Sequence, residues 1–73
     1  MSPHKTVWEL RFEGLWTAWA KLGISAQKRA EILASVVASL DEAHRFGSAR
    51  EASSAFEAAG RVARAGGARW PAA

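Results

Sequence analysis

From Trp8 onward, large apolar residues recur at Trp8, Phe12, Leu15, Trp16, Trp19 and Leu22. At 100° per residue these positions fall within an arc of about 120°, the width of the stripe a helix turns toward a core. Thr6-Val7-Trp8-Glu9 supplies the start as a capping box. The threonine hydroxyl can accept from the third backbone N–H, and the glutamate can reach back to the cap. Gly23 stands where a left-handed residue would end the helix, with Ile24 beyond it for the closing apolar contact. The spacing predicts a first helix over about 7–22.

A second helix is expected over about 26–45, after Ser25 as N-cap. Ala26, Ala30, Leu33, Val36, Val37, Leu40 and Ala43 share one face, with Gln27, Lys28, Glu31, Ser35, Asp41 and Glu42 opposite. Gly47 is its expected stop. The third helix, about 49–65, opens with the capping box Ser48-Ala49-Arg50-Glu51 and ends at Gly66-Gly67. Its apolar face is built mostly of small residues: Ala49, Ala52, Ala55, Phe56, Ala59, Val62 and Ala63. Such residues permit a close helical neighbour but bury little area each. Residues 66–73 read as a flexible C-terminal tail.

One stretch has a second reading. Trp8-Glu9-Leu10-Arg11-Phe12-Glu13 alternates as a half-buried strand would. A strand followed by two helices would suggest ribbon-helix-helix DNA-binding dimers. That ribbon would present Glu9 and Glu13 to phosphate, however, and the alternation covers fewer residues than the helical stripe. Helix is the favoured reading.

The expected fold class is therefore all-α: one helical domain over 1–65, with helices one and two as an antiparallel hairpin and the alanine-rich third packed across them. Its core should draw on Trp8, Phe12, Leu15, Trp16, Trp19, Leu22, Leu33, Val36, Val37, Leu40, Phe56 and Val62. With 73 residues, such a core rarely supplies more than ~3–5 kcal/mol, which favours a helical homodimer or other homo-oligomer.

Composition narrows the function classes. The chain has no cysteine, hence no disulfide framework, thiol nucleophile or thiolate metal site. Met1-Ser2-Pro3-His4-Lys5 lacks the apolar run of a signal peptide, and no segment approaches the ~20 apolar residues of a membrane span. The polar face of helix one mixes Glu9 and Glu13 with Arg11 and Lys21, a poor match to anionic lipid. The expectation is a soluble, cytoplasmic protein with no membrane contact. His4 and His44 share no metal-ligand spacing. Asp41 and His44 stand three apart without a nucleophile placed for them, His44 being expected at the edge of the apolar face, partly buried. No cofactor, metal or catalytic role is expected.

What remains is surface. Helix one carries a second apolar flank, Val7 and Leu10 beside Gly14 and Ala18, and helices apolar on two sides are usually sandwiched between neighbours. With Trp19, a residue type enriched among interface anchors, these positions form the expected partner-binding set for another protein. The leading function is a non-enzymatic interaction module: an inhibitor, adaptor or regulator. Charge gives the alternative. The net +3 arises beyond residue 57, at Arg61, Arg64 and Arg69, since the seven acidic residues before it are matched by seven basic ones. With Lys28, Arg29 and Trp70 these could contact nucleic acid or an acidic partner. At the helix end the cations also suit the dipole, and Glu57 lies four residues before Arg61. Trp19-Ala20-Lys21-Leu22-Gly23-Ile24-Ser25 resembles the turn of helix-turn-helix DNA readers, which would imply a nucleic-acid-binding regulator. Trp19 stands there in place of a small alanine, and Arg29 in place of an inward apolar residue.

Overall fold

A computed structural model describes residues 5–71; His4 and the last two positions of the expected tail lie outside that range. The described residues are helical without strands: α1 (Val7–Lys21), α2 (Ala26–Glu42) and α3 (Ala49–Ala65), all packed against one another. The segment Trp8–Glu13 belongs to α1, and its alternation is incidental to the helical stripe.

Local chemistry sets most of the boundaries. The hydroxyls of Thr6, Ser25 and Ser48 accept from the backbone N–H of Glu9, Lys28 and Glu51 at 3.1, 3.3 and 3.1 Å. Each satisfies one of the donors that a helix start leaves unpaired. All three helices also end alike, with paired bonds from the two residues past the cap back to the last turn. In α1 these are Ile24 N–H to Trp19 O and Gly23 N–H to Ala20 O; in α3 they are Ala68 to Ala63 and Gly67 to Arg64.

The end of α2 departs from the expected Arg45 and Gly47. The helix stops at Glu42, and His44 takes the left-handed position at φ 55°. Its N–H reaches Asp41 O while Arg45 N–H reaches Leu40 O. His44 is accordingly exposed rather than partly buried. The early stop swings Phe46 inward, to 2% exposure, with its ring edge-on to Trp8 at 4.9 Å.

The core lies between α3 and the other two helices. Phe12, Leu33, Val37, Phe46 and Val62 pack with Ala55, Ala58 and Ala59, while Trp8, Trp16, Trp19 and Leu40 close its edges half-buried. Leu15, Leu22 and Phe56, expected in the core, are exposed, and Val36 is half-buried. Long-range contacts fix the phase of α1. Arg61 on α3 donates from Nε and a terminal nitrogen to Glu9 Oε1, both at 3.1 Å, instead of pairing with Glu57. The Glu9 side of the stripe faces α3, and the Leu15–Leu22 edge faces outward.

The segment after α3 is not a free tail within the described residues. Ala68 is buried with Ala30 and Ala63, Arg69 N–H donates to Gln27 Oε1 at 3.0 Å, and Trp70 packs against Phe56 with centroids 5.2 Å apart. Two glycines make room for indoles. A Cβ at Gly60 would fall 2.7 Å from Trp70 Cδ1, and one at Gly66 would run into the Trp16 ring.

Candidate interaction surfaces

Burial of the Trp8–Phe12–Trp16–Trp19 side of α1 leaves the rest of its apolar surface, from one edge of that stripe round to Leu10, bare. Val7, Leu10 and Leu22 are 60, 55 and 75% exposed, and Leu15, Gly14 and Ala18 lie exposed among them. Nothing lies within 4 Å of where a Cβ of Gly14 would be, so the middle of this face is open. Of the residues proposed from sequence, Val7, Leu10, Gly14 and Ala18 thus stand together. Trp19 is on the other side, half-buried against the core. Leu15 and Leu22 join them, although the sequence pattern places both in the core. At the edge of the stripe nearest Val7 and Ala18, their place on the helical wheel was the available signal.

The charges on that face have one sign. Arg11 lies over the Trp8 ring at 4.9 Å from its centroid, and Lys21 is exposed in the last turn. The two carboxylates of α1 are turned aside and occupied, Glu9 with Arg61 and Glu13 with Lys5 Nζ at 2.7 Å. The Glu13 carboxylate holds the Lys5 ammonium above its ordinary pKa of 10.5, first through their hydrogen bond and then through its charge. The outward face of α1 is therefore apolar and cationic.

A second surface is the groove between α2 and α3, about 550 Å³ and lined by Ala34, Val37, Ala38, Asp41, Phe46, Ala52, Ser53, Phe56 and Glu57. Its floor is apolar, and each helix contributes one exposed carboxylate, Asp41 and Glu57. Neither is within 4 Å of a cation among the described residues. Nothing in the local pattern of α2 or α3 marked this groove, because it exists only where the two helices meet.

The proposed nucleic-acid set divides. Arg29 is half-buried, its guanidinium 4.6 Å from the Trp16 centroid. Arg61 is engaged by Glu9, and Trp70 packs on Phe56 and Gly60. Lys28, Arg64 and Arg69 remain exposed, Lys28 standing 3.8 Å from Glu31. The Trp19–Ser25 turn is an ordinary glycine helix stop. Beyond it, α2 spends its Ala30–Leu33–Val37 face on the core.

Among the described residues no group of three or more His, Asp or Glu could hold a metal ion, and no helix is long and apolar enough to cross a membrane. In comparisons with known proteins, no family model matches this chain, and neither a curated protein nor a solved structure is similar to it.

Proposed function

We propose that the protein is a non-enzymatic interaction module that docks through the outward face of α1 on an apolar, acidic surface of another chain. The observation that carries this reading is the composition of that face. Val7, Leu10, Leu15 and Leu22 are large apolar side chains left exposed along α1 and its C-cap. Extended apolar surface of this kind marks association sites more often than isolated exposed residues do. Arg11 and Lys21 give the face a sign, and the partner should carry carboxylates beside its own apolar side chains. The nucleic-acid reading is weaker because Arg29, Arg61 and Trp70 already serve the fold.

Capture experiments with the full chain test the proposal through variants. Proteins retained by the parent should be lost with Leu10→Glu and with Leu22→Glu, and kept with Arg50→Glu, an exposed position in the first turn of α3. Both positions on α1 are exposed, so the substitutions should leave helicity unchanged, and stability within about 0.5 kcal/mol. Retention indifferent to both α1 variants would overturn the proposal. So would retained nucleic acid that is shed steeply as salt rises and lost with Arg64→Ala and Arg69→Ala.

A further inference from the structure

The two surfaces described above are complements. The α1 face offers apolar side chains with two cations, and the α2–α3 groove offers an apolar trough with two carboxylates. We propose that the groove of one copy receives the outward face of α1 from a second copy, so that the protein associates head to tail. This rests on the docking role of α1 proposed above and names the surface that meets it.

Charge selects this arrangement over a symmetric one. Pairing two α1 faces about a two-fold axis would bring Arg11 and Lys21 of both copies together with no carboxylate between them, and like charges across an interface disfavour association. Seating α1 in the groove instead sets Arg11 and Lys21 against Asp41 and Glu57. The apolar parts also match in kind. Leu10 and its neighbours present a ridge, and Val37, Ala38 and the exposed Phe56 line a groove of about 550 Å³, within the ~300–1,000 Å³ of sites that enclose ligand-sized groups. Amphipathic helices laid in apolar grooves are a recurrent mode of recognition.

Area permits it. A standard interface buries about 800 Å² on each partner, roughly a sixth of the 4976 Å² surface of this chain. One copy can therefore use both surfaces at once. A contact between two different patches continues from copy to copy, as a ring if the rotation closes and as an open chain if it does not.

Sedimentation of the full chain over a range of concentrations reads this out. The parent should gain mass with concentration. Leu10→Glu spoils the α1 face and Ser53→Glu spoils the groove, and each alone should stay monomeric, weakened roughly 30-fold or more by a charge set in an apolar contact. Mixed in equal amounts, the two variants should form a 1:1 dimer and nothing larger, because each brings one intact surface. Ala38→Glu replaces Ser53→Glu if circular dichroism shows the latter misfolded. A parent that stays monomeric throughout overturns this inference while leaving the α1 docking reading to its own capture test. An associating parent overturns it too if its mixed variants stay monomeric, or if Ser53→Glu alone still dimerises, the latter pointing to a symmetric α1 contact. Association unaffected by either variant would remove both surfaces from the interface.

Discussion

Replacing Gly60 by alanine should change sign according to what residue 70 is. Gly60 lies inside α3, where alanine is favoured over glycine by about 1 kcal/mol. The added methyl would nevertheless fall 2.7 Å from Trp70 Cδ1 and 2.8 Å from Nε1, against the ~3.5–4.0 Å of ordinary carbon contact. The indole has to move by about 1 Å, and Phe56 stands against it with centroids 5.2 Å apart. Crowding of that order costs about 1–3 kcal/mol, so the parent should lose about 1 kcal/mol net. The Arg64 guanidinium, also close to the new methyl, ends an exposed flexible chain and can swing away. In a Trp70→Ala background the obstruction is gone, and the same substitution should gain about 1 kcal/mol. The implied coupling is about 2 kcal/mol, within the range found for residues in contact. Thermal melts of the four variants, followed by circular dichroism, would register about 4–8 °C per kcal/mol in a chain of this size. If Gly60→Ala moves stability in the same direction and by the same amount in both backgrounds, Trp70 is not seated on α3 and the packing described for residues 68–70 is wrong.

Other expectations follow from single contacts. Phe46→Ala should cost about 3–5 kcal/mol, comparable to the whole stability of so small a core, so loss of the cooperative melt is the expected result. His44→Gly should raise the urea midpoint, by about 0.5–1 kcal/mol in stability, since glycine takes a left-handed backbone without the cost an L-residue incurs. His44→Ala should give no such gain. Arg61→Ala removes the only ion pair joining α1 and α3 among the described residues. With Glu9 14% exposed, the loss should be about 1 kcal/mol, smaller when measured at high salt. The Lys5–Glu13 bond should be present at neutral pH and lost as pH rises past the elevated Lys5 value, because the ammonium is the bonded form. The Lys5 ammonium should therefore titrate higher than in Glu13→Gln, which nuclear magnetic resonance of its side chain would detect.

What could be read in the sequence was whatever neighbours along the chain decide. Thr6, Ser25 and Ser48 begin their helices because their hydroxyls serve N–H groups three residues away, and such signals survive without tertiary context. The end of α2 did not, because a histidine in left-handed geometry has no local mark and Gly47 offered a more conventional stop. Misplacing that end hid Phe46, whose burial depends on a turn three residues shorter than expected. The rotation of α1 was invisible for a different reason. Glu57 was the local candidate for Arg61, yet the bond formed is to Glu9, 52 residues away in sequence. That pair marks which edge of the aromatic stripe is covered, a choice made by packing across helices that no local pattern shows. Trp70 looks like part of a tail in the sequence because only its fit over Gly60 gives it a place. The groove with Asp41 and Glu57 belongs to two helices jointly.

The small residues of α3 have a thermal consequence. Ala55, Ala58, Ala59, Gly60 and Ala63 are all buried, so this helix holds its neighbours by nearness of backbone more than by volume of side chain. Unfolding it uncovers little hydrocarbon of its own. Since the heat capacity of unfolding rises by about 0.45 cal/mol/K for each Å² of apolar surface exposed, the total should fall below the usual ~12–15 cal/mol/K per residue. The stability curve of this protein is then a low, wide dome: a modest maximum, little change across the range in which cells grow, and a melt spread over many degrees.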